Sequence, residues 1–232
     1  MPQSARKLDR LPERMGGLGL TSERTRAALV QKLKAQGITT QLVLDVIGKV
    51  PRHEFVDEAF ASRAYEDAAL PIGHQQTISR PFTVARFAEY ALNGKTRLGN
   101  VLEVGAGCGY QAAVFAEFCD TLSSIERIEP LYQKARKNLK QAGYTKVKVV
   151  HGDGLAGLPD LAPFDVIIVA AAGLEIPNAL LKQLKIGGRL IVPVADQRQQ
   201  VLVTVDRQAE NKWHRENRDL VKFVPLVQGI SN

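Results

Sequence analysis

Only two of the 232 residues are cysteines, Cys108 and Cys119. That is too few for a disulfide framework, and the chain is expected in a reducing, cytoplasmic setting. Long apolar runs are missing too: the longest beyond the glycine-rich stretch, residues 166–172, falls far short of the roughly 20 residues a membrane helix needs, so no membrane partner is expected. Residues 1–14 carry scattered charges around no apolar core, so no secretory signal is expected. The four histidines, His53, His74, His151 and His214, share no ligand spacing, and no metal is expected. No Ser-rich or Pro-rich linker, internal repeat or low-complexity tract divides the chain, whose length suits one domain able to bury a sizeable core.

The net charge is +7, and residues 1–36 hold eight Lys or Arg against three acids, which leaves +5 of it there. A basic arm can contact nucleic acid. Short charged termini are more often simply solvated, so the charge argues only weakly for such a substrate.

The chain is organised around residues 101–110, Val-Leu-Glu-Val-Gly-Ala-Gly-Cys-Gly-Tyr. Val101, Leu102 and Val104 suit a strand covered on both faces of a parallel sheet. Gly105, Gly107 and Gly109 then permit a tight turn and close approach of a ligand to the backbone, ahead of a helix over residues 111–118. With Glu103 at the strand end, these glycines make a candidate nucleotide cradle. A dinucleotide fingerprint would want glycine where Tyr110 stands, which disfavours a nicotinamide enzyme. The next apolar stretch, 122–125, leads into Glu126, which lies 21 residues beyond Gly105 (126 − 105). An acid at that spacing sits at the tip of the neighbouring strand and can accept from ribose hydroxyls.

Ahead of the cradle, Leu29 and Leu33 mark a helix to about residue 36, and Val43, Val46, Ile47 and Val50 mark a second one that stops at Pro51. Residues 52–70 look irregular. Residues 70–82 are expected to form a loop, because Pro71 and Gly73 exclude a helix, and it leads directly into a helix over 82–92. Beyond the cradle come a helix over 130–142, a strand over 146–150 and a turn with Asp153 and Gly154. A strand over 164–169, a helix over 177–184 halted by Gly187 and Gly188, and a strand over 189–194 follow. Two further strands are expected over 200–205 and 220–226.

The glycine loop after Val-Leu-Glu-Val resembles the first motif of S-adenosylmethionine-dependent methyltransferases. Four blocks make the resemblance narrower: Pro71-Ile72-Gly73 with Thr77-Ile78-Ser79-x-Pro81; residues 101–110; His151-Gly152-Asp153-Gly154 with Pro163-Phe164-Asp165; and Phe223-Val224-Pro225-Leu226. Together the chain is similar to the protein-L-isoaspartate O-methyltransferases. The resemblance implies an α/β fold, a Rossmann-like doubly wound, mostly parallel sheet with an N-terminal helical extension. It also implies S-adenosyl-L-methionine as cofactor and methylation of the α-carboxylate of L-isoaspartyl residues in damaged proteins and peptides. The family residue matching Ser79 is the active-site hydroxyl, and those matching Thr77, Ile78, Gly105, Glu126, Asp153 and Gly154 line the cofactor pocket. Glu103, Gly107 and Gly109 join them through the cradle. The organisation expected is a flexible basic extension over 1–20 and one methyltransferase domain over 21–232, divided into N-terminal helices and lid loop (21–80), core (81–206) and C-terminal strand region (207–232).

A carboxylate ionised at neutral pH is its own nucleophile, which agrees with the lack of an obvious general base. Ser79 would orient it by a hydrogen bond; its bland alternative is a serine capping the helix that follows. Cys108 reads as a small loop filler. Two departures, Gly173-Leu174 where the family commonly has Pro and Ala195 where Gly is usual, suggest a loosened loop near the substrate mouth. Two rivals share the cradle. A nucleic-acid methyltransferase lacks its expected motif, since strand four ends Ala170-Ala171-Ala172-Gly173 and neither cysteine follows a proline; a non-catalytic cofactor-binding paralogue is kept open by Gly173 and Ala195. The chain is expected to act as a monomer, with no nucleic-acid partner.

Overall fold

A computed structural model describes residues 22–231; the extension expected over 1–20 lies outside them. Apolar, β-branched runs form the middle of a seven-stranded sheet ordered β5-β4-β3-β6-β7-β8-β9. The strands are β3 (Leu98–Val104), β4 (Cys119–Glu126), β5 (Lys148–His151), β6 (Phe164–Val169), β7 (Leu184–Ala195), β8 (Gln200–Ala209) and β9 (Lys212–Val221). β3 to β7 run parallel, and β8 and β9 add antiparallel. β3 pairs with β4 on one edge and β6 on the other, its two faces enter separate cores, and its last four residues are buried. The chain order reverses between β3 and β6, which opens a crevice beyond their carboxyl ends, the usual ligand position in such sheets.

Side chains alternate across the sheet. Val101, Val166 and Ile168 join a core shared with the N-terminal helices, whereas Leu102, Val104, Ile167 and Val169 join a second core. The first core is covered by α1 (Glu23–Ala35), α2 (Gln41–Lys49), α3 (Pro81–Leu92), α4 (Tyr110–Ala116) and α5 (Glu129–Gln141); Leu180 of α6 (Asn178–Gln183) enters the second. The helical cap is pinned at a distance: Glu89 of α3 accepts from the backbone of Thr39 and Thr40 at 2.7 and 2.8 Å, capping α2 from about 50 residues away in sequence.

Several boundaries differ from expectation for physical reasons. Residues 70–82 hold a short hairpin rather than a plain loop, β1 (Leu70–Gly73) and β2 (Gln76–Ile78), closed through His74 and Gln75 at φ 52° and 57°. Both turn residues sit in the left-handed region, the geometry favoured in two-residue hairpins, but without the usual Asn-Gly signature. Two 3-10 turns, Arg52–Phe55 and Glu58–Arg63, occupy the irregular stretch. β7 begins ahead of Gly187 and Gly188, which lie at an irregularity in its pairing with β6 and do not separate helix from strand. The largest correction is the last strand. Residues 212–221 form it, although Lys212, His214, Arg215, Glu216, Arg218 and Asp219 give it no apolar alternation, because an edge strand needs only its backbone pairing with β8 and benefits from charge. The apolar residues 223–227 lie beyond this strand, and Phe223 packs on Phe87 with ring centres 5.6 Å apart.

Candidate active site

The crevice at the switch in strand order is a cleft open to solvent, lined by the loop after β3, the end of β4, the hairpin and residues 224–227. Its floor is the loop after β3, Gly105 to Gly107, with the end of β4. Gly107 has φ 55°, and a Cβ there would stand 3.2 Å from the Ile72 side chain, so glycine suits it on both counts. Its N–H donates to Glu126 Oε2 at 2.8 Å, and Ile128 N–H donates to Glu126 Oε1 at 3.0 Å. Glu126 is therefore held rigid at the strand tip, and each of its oxygens keeps a lone pair for the cleft.

The roof comes from the hairpin: Ile72, Gln76, Thr77, Ile78 and Ser79 all line the cleft. The far wall is residues 224–227, laced to the domain by main-chain bonds. Ala172 N–H donates to Val224 O and Leu226 N–H to Ala172 O, each at 2.8 Å, and Ser231 N–H donates to Arg127 O at 2.8 Å. The same lacing removes the looseness expected at Gly173. Its N–H donates to Pro193 O, its carbonyl accepts from Ala195, and its φ is not in the left-handed region.

Of the residues singled out from sequence, Ser79, Thr77, Ile78, Gly105, Gly107, Glu126 and Gly154 converge on this cleft. Three do not line it. Gly109 packs against α5, where a Cβ would meet Leu139 at 3.0 Å. Asp153 spends its carboxylate on Leu155 N–H at 2.9 Å and Gly229 N–H at 2.8 Å, and so holds the tail. Glu103 lies behind the floor, 1% exposed, accepting from the Ser124 hydroxyl at 2.5 Å. Burial pushes its carboxyl up to about 8, against the pull of the Ser124 hydrogen bond and support from Gln111.

Ser79 does not cap α3. Phe82 N–H donates instead to Asp67 Oδ1 at 2.9 Å, while Arg80 and Gln36 donate to Asp67 Oδ2. Burial would raise the Asp67 carboxyl, but these donors outweigh it and hold it below the usual carboxylate value. The Ser79 hydroxyl has no partner among the described residues. It lines the first cleft and also a second one, bounded by Arg80, Phe82, Arg86, Asp219, Leu220 and Lys222; Thr77, Ala170 and Val224 likewise border both.

Sequence reading missed three contributors. Asp67 gave no signal, because its partners are distant in sequence. Arg52 is fully buried, with its guanidinium 4.6 Å from the Tyr110 ring centre, and Phe55 meets the same ring edge-on at 5.8 Å. Tyr110, standing where a dinucleotide fold has glycine, is thus a packing residue behind the loop. Gln111, 7% exposed, lines the cleft with neither amide atom hydrogen-bonded to protein. Cys108 is buried and free, and burial pushes its thiol up to about 11, so it holds no thiolate at neutral pH.

These features fit a nucleoside carrying a charged amino-acid arm: a carboxylate for ribose hydroxyls, apolar walls at Ile72, Ile78, Ile128 and Leu131, and orphaned polar atoms on Gln111 and Glu103 that call for a partner. Among the described residues no His, Cys, Asp and Glu group is arranged to hold a metal ion. Among them also, no helix is long and apolar enough to cross a membrane.

Comparison with known proteins agrees with this geometry. The family model for Protein-L-isoaspartate(D-aspartate) O-methyltransferase matches residues 24–231. A protein-L-isoaspartate O-methyltransferase of Burkholderia ambifaria is 53% identical over 217 residues, covering 93% of this chain and 70% of the relative. One from Burkholderia cenocepacia is 52% identical over the same shares. A solved protein-L-isoaspartate O-methyltransferase superposes with TM-score 0.79 at 29% identity, covering 89% of this chain and 67% of that one. A Plasmodium falciparum protein described by the same activity, solved with S-adenosyl-L-homocysteine, shares the fold at TM-score 0.76 and 24% identity, over 87% of this chain and 98% of that one.

Proposed function

The chain belongs to the protein-L-isoaspartate(D-aspartate) O-methyltransferase family, and from that premise we propose the parts its own residues take. The activity is protein repair: a methyl group passes from S-adenosyl-L-methionine to the α-carboxylate of an L-isoaspartyl residue in a damaged protein or peptide. The cofactor supplies a methyl already activated on a sulfonium, so no metal or general base is required of the protein.

The observation that carries the assignment is the position of Ser79, whose unpartnered hydroxyl borders both clefts at once. The first cleft takes the cofactor, and the second takes the polypeptide. Glu126 accepts the ribose hydroxyls; Thr77, Ile78, Gly105, Gly107 and Gly154 close around the nucleoside. Ser79 would donate to one oxygen of the substrate carboxylate and leave that carboxylate's other oxygen free to take the methyl that the bound cofactor would supply. Alignment and exclusion of water then supply the rate enhancement, an effect worth up to about 7 kcal/mol when geometry is near ideal. Asp153 acts indirectly, by fastening the wall formed by residues 224–227. Isoaspartyl proteins and peptides are the partners. The chain is read as acting as a monomer, and the two free buried cysteines support a reducing, cytoplasmic setting.

The decisive test is methyl transfer from labelled cofactor to two peptides that differ only in carrying L-isoaspartate or L-aspartate. Transfer confined to the first is expected. Binding of cofactor without transfer to either would favour the non-catalytic reading.

A further inference from the structure

Ser79 lies where the hairpin ladder has ended and α3 has not begun. The pairing of β1 with β2 stops at Ile78, opposite Leu70, and α3 starts at Pro81. Ser79 belongs to neither element, so regular pairing does not fix it, although its place between two clefts calls for a definite one.

A carboxylate from outside the hairpin bears on this point. Asp67 stands three residues ahead of β1, with its side chain 1% exposed. Its Oδ1 accepts from Phe82 N–H at 2.9 Å and from Arg80 Nε at 3.4 Å. Its Oδ2 accepts from Arg80 Nη2 and from Gln36 Nε2, the latter at 3.1 Å. One buried side chain thus ties the chain just before β1 to the chain just after Ser79, and both to Gln36 at the end of α1. All four contacts are donors, so both oxygens must accept. Burial opposes a charge here, but the donors outweigh it and hold the carboxyl below its usual value, ionised at neutral pH.

The rest of the roof has fastenings of its own. Lys134 of α5 donates to Ile72 O at 3.0 Å, and Thr77 and Ile78 pair with Pro71 and Leu70 through the hairpin. The Asp67 clasp therefore acts on the Ser79 end of the roof.

We infer that Asp67 is a positioning residue for the reaction: by gripping Arg80 and the first turn of α3, it sets where the Ser79 hydroxyl stands between the two clefts. The inference rests on the reading of Ser79 as the group that orients the substrate carboxylate. Asparagine at this place could keep the bond to Phe82 with its oxygen. It would then turn its NH2 towards Arg80 and Gln36, donor against donor.

The test is a double-mutant cycle on the full chain. Methyl transfer from labelled S-adenosyl-L-methionine to the L-isoaspartyl peptide is read out, with the affinity for S-adenosyl-L-homocysteine measured beside it. Asp67→Asn should lower kcat about fivefold by loosening one orienting contact, while KM for the peptide and cofactor affinity change less than about twofold. In the Ser79→Ala background the same substitution should cost nothing further, because residues that act as a unit are not additive. Arg80→Lys keeps the positive charge beside the second cleft and the bond to Phe82, but loses the two-pronged grip. It should behave as Asp67→Asn does, and it decides the question if that variant fails to fold. Equal losses in the two backgrounds, or a loss confined to KM or cofactor affinity, would make Asp67 a structural tie and overturn the inference. Unchanged turnover in both single variants would overturn it as well, and leave the orienting role of Ser79 standing. If Ser79→Ala itself left turnover untouched, that role and this inference would fall together.

Discussion

The two clefts that meet at Ser79 are built in opposite ways. The cofactor side rests on the carboxyl ends of β3 and β4, where Glu126 and the glycine loop are fixed by backbone hydrogen bonds. The side proposed for the polypeptide is edged by Arg80, tied to Asp67, by half-buried Arg86, paired with Glu89 and Asp219, and by Lys222 and Leu220 at the surface, the last 70% exposed. One constant ligand can be met by rigid backbone, whereas damaged sites in unrelated proteins call for an adaptable margin. The difference teaches where sensitivity to mutation should concentrate.

The largest effect should come from Glu126→Ala, which removes the ribose acceptor and frees two loop amides at once. Cofactor affinity should fall about 100-fold, roughly two charged hydrogen bonds, measured by calorimetry. A loss under about threefold would deny that this side is the rigid one. Ser79→Ala sits on the boundary: turnover on the isoaspartyl peptide should drop about tenfold with cofactor affinity unchanged, the loss of one orienting hydrogen bond. Equal turnover would remove the orienting role.

A third prediction concerns stability. The folded chain keeps a proton on Glu103 that the unfolded chain has released above 4.5, so this contribution is complete below that pH and is lost as pH rises through about 8. The apo protein's melting temperature should fall across that window, and Glu103→Gln should flatten the slope. An unchanged slope in the variant would place the titration elsewhere. The smallest effect belongs to the adaptable margin. Lys222, with no ion-pair partner among the described residues, should on mutation to Ala raise KM about twofold for peptides with acidic flanks and leave cofactor binding alone, as befits an exposed charge. A larger change for cofactor than for peptide would invert the comparison.

The rigid side was also the side legible in the sequence. Val101 to Gly107 and Glu126 carry their role in spacing, because a buried parallel strand, a glycine turn and an acid on the next strand are consecutive features of one local pattern. Asp67 and Gln111 escaped notice because their roles depend on groups brought up from elsewhere. The C-terminal part misled in an instructive way: residues 220–226 look like a strand since all but Lys222 are apolar, but only Leu220 and Val221 lie in one, and Val224 to Leu226 line the cleft. The strand at 212–221 tolerates its central polar run, His214 to Asp219, because it lies at an edge.

The wall over the cofactor has one further consequence. It is fastened through Ala172, Arg127, Glu129, Asp153 and, at Phe223, Gln200, while Val227 and Ile230 stand exposed. Peripheral segments open at lower cost than sheet interiors. Amide exchange at Leu226, Gly229 and Ser231 should therefore run ahead of that in β3 and β6, and slow when the cleft is filled. Exchange that did not slow on filling the cleft would show that the wall takes no part in enclosing the ligand.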